Sequence, residues 1–162
     1  MRVGLDSYSY HRRYGEVRVG EQQHPEPAWP LEPSPVLAHA RSLDVDVVML
    51  ETCYLPDPDT ETFADMDLAA PPQVGFSWGH AWPEGASHGL DGGRSPAAEA
   101  DLARWIRAAG RSGHELMRIT LGSPVSRGDE PASVLIDRLI DPVRRAACTA
   151  AAVGVSLAIE NH

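Results

Sequence analysis

Val155-Ser-Leu-Ala-Ile-Glu160-Asn-His162, the last eight residues of the chain, decide how the rest is read. Five of the first six are apolar or small and end on a carboxylate, the pattern of a buried strand that delivers an acid to its carboxyl end. Parallel α/β proteins place their chemistry there, because the loops leaving that edge of the sheet hold the reacting groups. A Glu closing so apolar a run is costly to bury without a partner, so Glu160 is the first candidate site residue, as catalytic group and as metal ligand.

Working back from this strand, four further apolar or β-branched runs stand out: Arg2–Tyr8, Asp46–Glu51, Gln73–His80 and Glu115–Leu121. Short runs separated by helical patterns imply βαβ units and a parallel sheet. The helices carry their own punctuation. Ser34-Pro35 reads as an N-cap and first-turn proline opening a helix to Ser42, and Ser95-Pro96 repeats the signal. Beyond it Leu102, Trp105, Ile106 and Ala109 fall on one helical face, and Gly113 closes the pattern. Pro131–Ala152 is helical as well, with Asp141-Pro142 expected to break it in two, since an internal proline removes a hydrogen bond. Gly154 ends the second piece. A short helix is expected around Glu61–Ala69, and the stretches His24–Pro35 and Pro56–Thr60 are loops.

The arithmetic favours part of a closed barrel. A (β/α)8 TIM barrel takes roughly 250 residues, whereas five strands occupy the 162 residues here. The expectation is an α/β fold, a partial (β/α)8 TIM barrel of five parallel strands with intervening helices. Residues 1–162 would form a single domain truncated after the fifth strand. An open doubly wound sheet fits less well, because no G-x-G-x-x-G fingerprint follows any of the strands.

Charge narrows the partners. The formal net charge is −9, and all fourteen basic residues are Arg. An acidic chain without a basic cluster argues against a nucleic-acid groove and against an anionic membrane surface. Without Lys there is no Schiff-base or P-loop lysine. No apolar run approaches the ~20 residues of a membrane span, and the N-terminus turns polar too soon for a signal peptide. A soluble, cytoplasmic protein is expected. Cys53 and Cys148 lack metal-ligand spacing and read as reduced, packed thiols.

Each strand ends in residues able to act. Asp6-Ser-Tyr-Ser-Tyr-His11 follows the first, Glu51-Thr-Cys-Tyr54 the second and Trp78-Gly-His80 the third; the fourth contains Arg118, and Glu160-Asn-His162 closes the fifth. Five such ends on one rim suggest a polar pocket with aromatic walls, suited to a carbohydrate-like ligand. Individually the residues also have structural readings. His80 could be a hydrogen-bonded strand-end histidine, and His11 and His88 loop or surface residues. Arg118 must be paired within its apolar strand, with Glu51 or Glu160, and serves either a core ion pair or a substrate anion.

The segments Gly4-Leu-Asp-Ser-Tyr-Ser-Tyr-His11, Leu50-Glu-Thr-Cys-Tyr-Leu-Pro56, Trp78-Gly-His80, Gly89-Leu-Asp-Gly-Gly93 and Leu157-Ala-Ile-Glu-Asn-His162 together resemble the sugar phosphate isomerase/epimerase family of xylose-isomerase-like TIM barrels. The resemblance spans the N-terminal five-eighths of that barrel. It implies a metal-dependent isomerase or epimerase acting on a sugar, sugar acid or sugar phosphate through an enediolate, with a divalent ion (Mn2+ or Mg2+) held by strands five to eight. Only Glu160 maps onto that ligand set. His80 would join Glu160 in catalysis, while Tyr8, His11, Glu51, Trp78, Arg118 and His162 would bind substrate. A lyase on the same scaffold, such as a 3-oxo sugar-acid decarboxylase or a C-glycoside-cleaving subunit, and an inactive truncated half-barrel are the alternatives. Unpaired outer strands of a partial barrel would also favour homo-oligomers.

Overall fold

In a computed structural model of the chain, the described residues are 3–16, 28–64, 72–80, 82, 89–122 and 130–160. Five strands form one sheet: β1 (Gly4–Asp6), β2 (Val47–Glu51), β3 (Gln73–Trp78), β4 (Leu116–Thr120) and β5 (Ser156–Glu160). Their spatial order is β1-β2-β3-β4-β5, and every neighbouring pair is parallel. Sequential parallel order is what short βαβ crossovers produce. The expected α/β partial barrel is therefore the observed fold.

The helices α1 (Ser34–Ser42), α2 (Glu61–Ala64), α3 (Pro96–Arg111) and α4 (Ala132–Ala152) fill the connections. In α3 the Ser95 hydroxyl accepts from the Ala98 N–H at 3.1 Å, satisfying one of the helix's orphan donors. Its buried face is Leu102, Trp105, Ile106 and Ala109, as the periodicity requires. Gly113, at φ +73°, then takes the left-handed conformation that turns the chain into β4.

Two helix expectations need correction. Ser34 is the first residue of α1, preceded by Pro33 at the cap position, and its hydroxyl donates to Glu32 at 2.6 Å instead of capping. Helix α4 runs unbroken through Pro142. Leu139, Pro142, Ala146 and Ala150 form its buried face, so packing against the sheet layer carries the helix across the lost hydrogen bond.

The core lies between sheet and helices. Val48 and Leu50 of β2, Val74 and Phe76 of β3, and Met117 and Ile119 of β4 pack outward against Val36, Leu37, Phe63, Leu102, Trp105 and Ile106. Phe63, Phe76 and Trp105 meet with ring centroids 5.4–6.2 Å apart. On the other face Leu116 is 45% exposed, whereas Glu51, Ser77 and Thr120 are buried. Among the described residues, each of β1 and β5 has one strand neighbour. Beside β5, Leu121, Ile136, Leu139, Ile140, Val143 and Ile159 line an apolar groove of about 430 Å³. Both cysteines are free; Cys53 is half-buried, but Cys148 is exposed and not packed as expected. Among the described residues no helix is long and apolar enough to cross a membrane.

Candidate functional site

Side chains alternate between the two faces of a strand, and that alternation sorts the chemistry. Asp6 of β1, Glu51 of β2, Ser77 of β3, Arg118 of β4 and Glu160 of β5 share the face opposite the helices, and Arg118 binds all four of the others. Its Nη2 lies 2.5 Å from Glu51 Oε1 and 3.2 Å from Asp6 Oδ2. Its Nε donates to Ser77 Oγ at 2.8 Å and lies 3.2 Å from Glu160 Oε2. Both partners anticipated for Arg118 are therefore present, with Asp6 as a third. Asp6 also accepts from the Tyr8 N–H at 2.9 Å, which opens the 3₁₀ segment Ser7–Tyr14 where the first run was expected to continue as strand.

Glu51 is the deepest acid of the group, 3% exposed, and its Oε2 has no hydrogen-bond partner among the described residues. Burial, reinforced by the nearby Asp6 carboxylate, raises its pKa from 4.5 to about 7; the Ser77 hydrogen bond and the Arg118 charge oppose this without overcoming it.

A second cluster sits above the sheet. Gly79, at φ +107°, ends β3 two residues short of the expected run and presents His80 in the following loop. His80 Nε2 lies 2.9 and 3.0 Å from the two carboxylate oxygens of Glu16. Glu16 is itself buried and accepts a further hydrogen bond from the Tyr54 hydroxyl. The Tyr8 ring meets His80 edge-on at 4.8 Å and stacks on His11 at 5.1 Å. His11 Nδ1 donates to the Tyr8 carbonyl at 3.0 Å, leaving a buried Nε2 without a partner among the described residues. His80 also lies within electrostatic reach of Glu51, so the two clusters adjoin.

Trp78 points to the helix side, where its indole N–H donates to Asp101 of α3 at 2.8 Å. It lines a cavity of about 440 Å³ together with His80, Trp82, Cys53, Asp101 and Trp105. His162 and His88 lie outside the described residues. Glu16 was not among the sequence candidates, and Tyr54 was noted only as part of the Glu51-Thr-Cys-Tyr54 strand end without a role of its own. Glu16 belongs to no strand, and its only local signal is an acid beside a glycine turn after an aromatic-rich loop.

The rim does not by itself fit a divalent ion. Among the described residues no three His, Cys, Asp or Glu side chains stand together as a metal site. Glu160, the one acid implied as a ligand, is shared with the Arg118 guanidinium, and Mg2+ or Ca2+-like ions require several oxygens.

The sequence matches no protein-family model and no curated protein. The fold, by contrast, matches xylose isomerase-like TIM-barrel sugar epimerases. It is similar to an L-ribulose 3-epimerase with a TM-score of 0.62 at 19% identity, over 98% of this chain and 48% of that one. A xylose isomerase domain protein from Planctomyces limnophilus gives 0.57 at 16% identity, over 98% and 53%. A D-tagatose 3-epimerase-like protein gives 0.61 at 9% identity, over 99% and 53%. The chain thus spans about half the length of these structures.

Proposed function

We propose that the chain forms the substrate-binding half of a ketose isomerase or epimerase, and that its sugar is neutral. The observation that carries this reading is the Arg118 cluster, in which three carboxylates and one hydroxyl surround one guanidinium on the face of the sheet opposite the helices. A phosphate or carboxylate on the substrate would meet that excess of negative charge, with Nε and Nη2 of Arg118 already engaged. Sugar hydroxyls, which both donate and accept, suit such a rim. The fold shared with an L-ribulose 3-epimerase supports the reaction class.

In this reading Tyr8 and His11 shape the pocket, Glu51 and Arg118 hold hydroxyls, and Trp78, turned to the helix side, steadies the strand through Asp101. Glu160 and His80 take part in moving a proton at the carbon beside the carbonyl. The proton leaves carbon for a base and the electron pair passes to the carbonyl oxygen as an enediolate. Return to the opposite face epimerises the carbon; return to its neighbour isomerises the sugar. No step is assigned to a metal ion, since the described residues do not compose a site for one.

Titration of 15N-labelled protein with L-ribulose or D-tagatose, and then with a ketose phosphate, tests the reading. Expected are shifts at His80, Tyr8 and Arg118 with the neutral sugars and weaker ones with the phosphate. Preference for the phosphate, or no shift with any ketose, overturns it.

A further inference from the structure

We infer that Glu16 is a positioning residue that locks His80 in the Nε2–H tautomer, so that Nδ1 is the ring nitrogen offered to a ligand. The importance of this for turnover rests on the proposed function; the tautomer itself does not.

The argument begins with what each partner can do. A carboxylate only accepts hydrogen bonds. Both oxygens of Glu16 lie within 3.0 Å of His80 Nε2, so a proton must sit on that nitrogen. A protonated Glu16 could reverse the direction, but its surroundings oppose protonation. Burial works to raise its pKa, yet the hydrogen bonds from His80 and Tyr54, together with the charges of His80 and His11, outweigh burial and hold it below the usual carboxylate value. Tyr54 is fixed as a donor for the complementary reason, because burial and the Glu16 hydrogen bond raise its phenol far above its ordinary range. Glu16 therefore accepts from both sides. Its own backbone is pinned by an N–H···O bond to the His11 carbonyl at 3.1 Å, and the edge of Tyr8 limits rotation of the imidazole.

In a neutral imidazole, one nitrogen donates and the other accepts. With Nε2 committed to Glu16, any hydrogen bond or proton that His80 takes up arrives at Nδ1. The residue is 25% exposed and lines the aromatic cavity, so a ligand can reach it. A carboxylate that fixes ring orientation and tautomer in this way commonly costs 10–100-fold in function when removed from comparable metal-site histidines.

Long-range 1H–15N correlation of the imidazoles at alkaline pH, where histidines are neutral, reads the tautomer directly. His80 is assigned by loss of its signals in His80→Gln. The unmodified protein should show the Nε2–H pattern. Glu16→Gln should lose it, because the Tyr54 hydroxyl would hold the amide oxygen and turn the amide N–H toward Nε2. Glu16→Asp should restore it in part, and Tyr54→Phe should leave it intact. An Nδ1–H pattern in the unmodified protein overturns the inference even if no variant folds, as does an unchanged pattern in Glu16→Gln. Failure of ketose binding with the expected tautomer present would instead count against the proposed function alone.

Discussion

Replacing Glu51 by Gln removes one negative charge from the most buried acid on the rim and keeps its shape. Burial first, and the Asp6 carboxylate second, raise the Glu51 pKa from 4.5 to about 7. The folded state thus binds this proton more tightly than the unfolded chain does. For an acid shifted in this direction, the contribution to stability is fully present below about 4.5 and is lost as pH rises through about 7. The displacement corresponds to a loss of about 3 kcal/mol across that window, with a slope of at most about 1.4 kcal/mol per pH unit. Glu51→Gln carries no such proton, so its stability relative to the unmodified protein should climb by that amount and level off above neutrality. Glu16, whose pKa is lowered, and His114, lowered by burial, act in the opposite sense on acidification. Both remain in the variant and cancel in the difference. Urea unfolding followed by circular dichroism at several pH values from 4 to 8 gives that difference directly. A flat difference, or a variant that loses ground as pH rises, would mean that Glu51 is ionised and stabilised by Arg118. The balance of burial over ion pairing would then be wrong.

Further outcomes follow from other parts of the fold. Trp105→Ala, which empties the centre of the Phe63–Phe76–Trp105 cluster, should cost about 3–5 kcal/mol in the same urea assay. The apolar groove beside β5 should mediate self-association, so Ile140→Glu should weaken it at least about tenfold, or ~1.4 kcal/mol; sedimentation velocity would show an unaltered distribution if the groove is not used. Calorimetric titration of the chain with Mn2+ should reveal no site tighter than about 10⁻⁴ M, and stoichiometric tight binding would mean that Glu160 joins other ligands to form a metal site. In any form of the protein that turns over a ketose, Glu160→Gln should abolish turnover, while His80→Ala should impair it.

The sheet was legible in the sequence because its strands are short, apolar and regularly spaced. Each expected run contains its observed strand. The errors lie at ends, where local chemistry outruns pattern: Asp6 caps a 3₁₀ segment and shortens the first strand, and Gly79 bends the third away before His80. Pro142 misled for a different reason. Its local cost is genuine, but the apolar face of α4 is long enough that packing overrides it. At the site, Arg118 and its acids could be anticipated because a charge within an apolar strand demands a partner. Glu16 could not, since loop residues carry no period, and its importance arises only when folding brings it to His80 across 64 positions of sequence.

The two clusters owe their placement to different physics, and this bears on specificity. The strand pleat positions Asp6, Glu51, Ser77, Arg118 and Glu160, so their mutual geometry is as rigid as the sheet. A guanidinium at their centre supplies one positive charge against three acids, and the deepest acid relieves the imbalance by holding its proton to near neutrality. In the proposed reading such a rim would resist a further anion at any pH where Asp6 and Glu160 are ionised, and a neutral sugar would suit it better than a phosphate. His80, in contrast, is held by loop residues and one buried carboxylate. Its orientation depends on Glu16 remaining charged, so it can be altered by a single substitution that leaves the sheet untouched. Binding selectivity would then reside in the strands, and the direction of proton transfer in the loops.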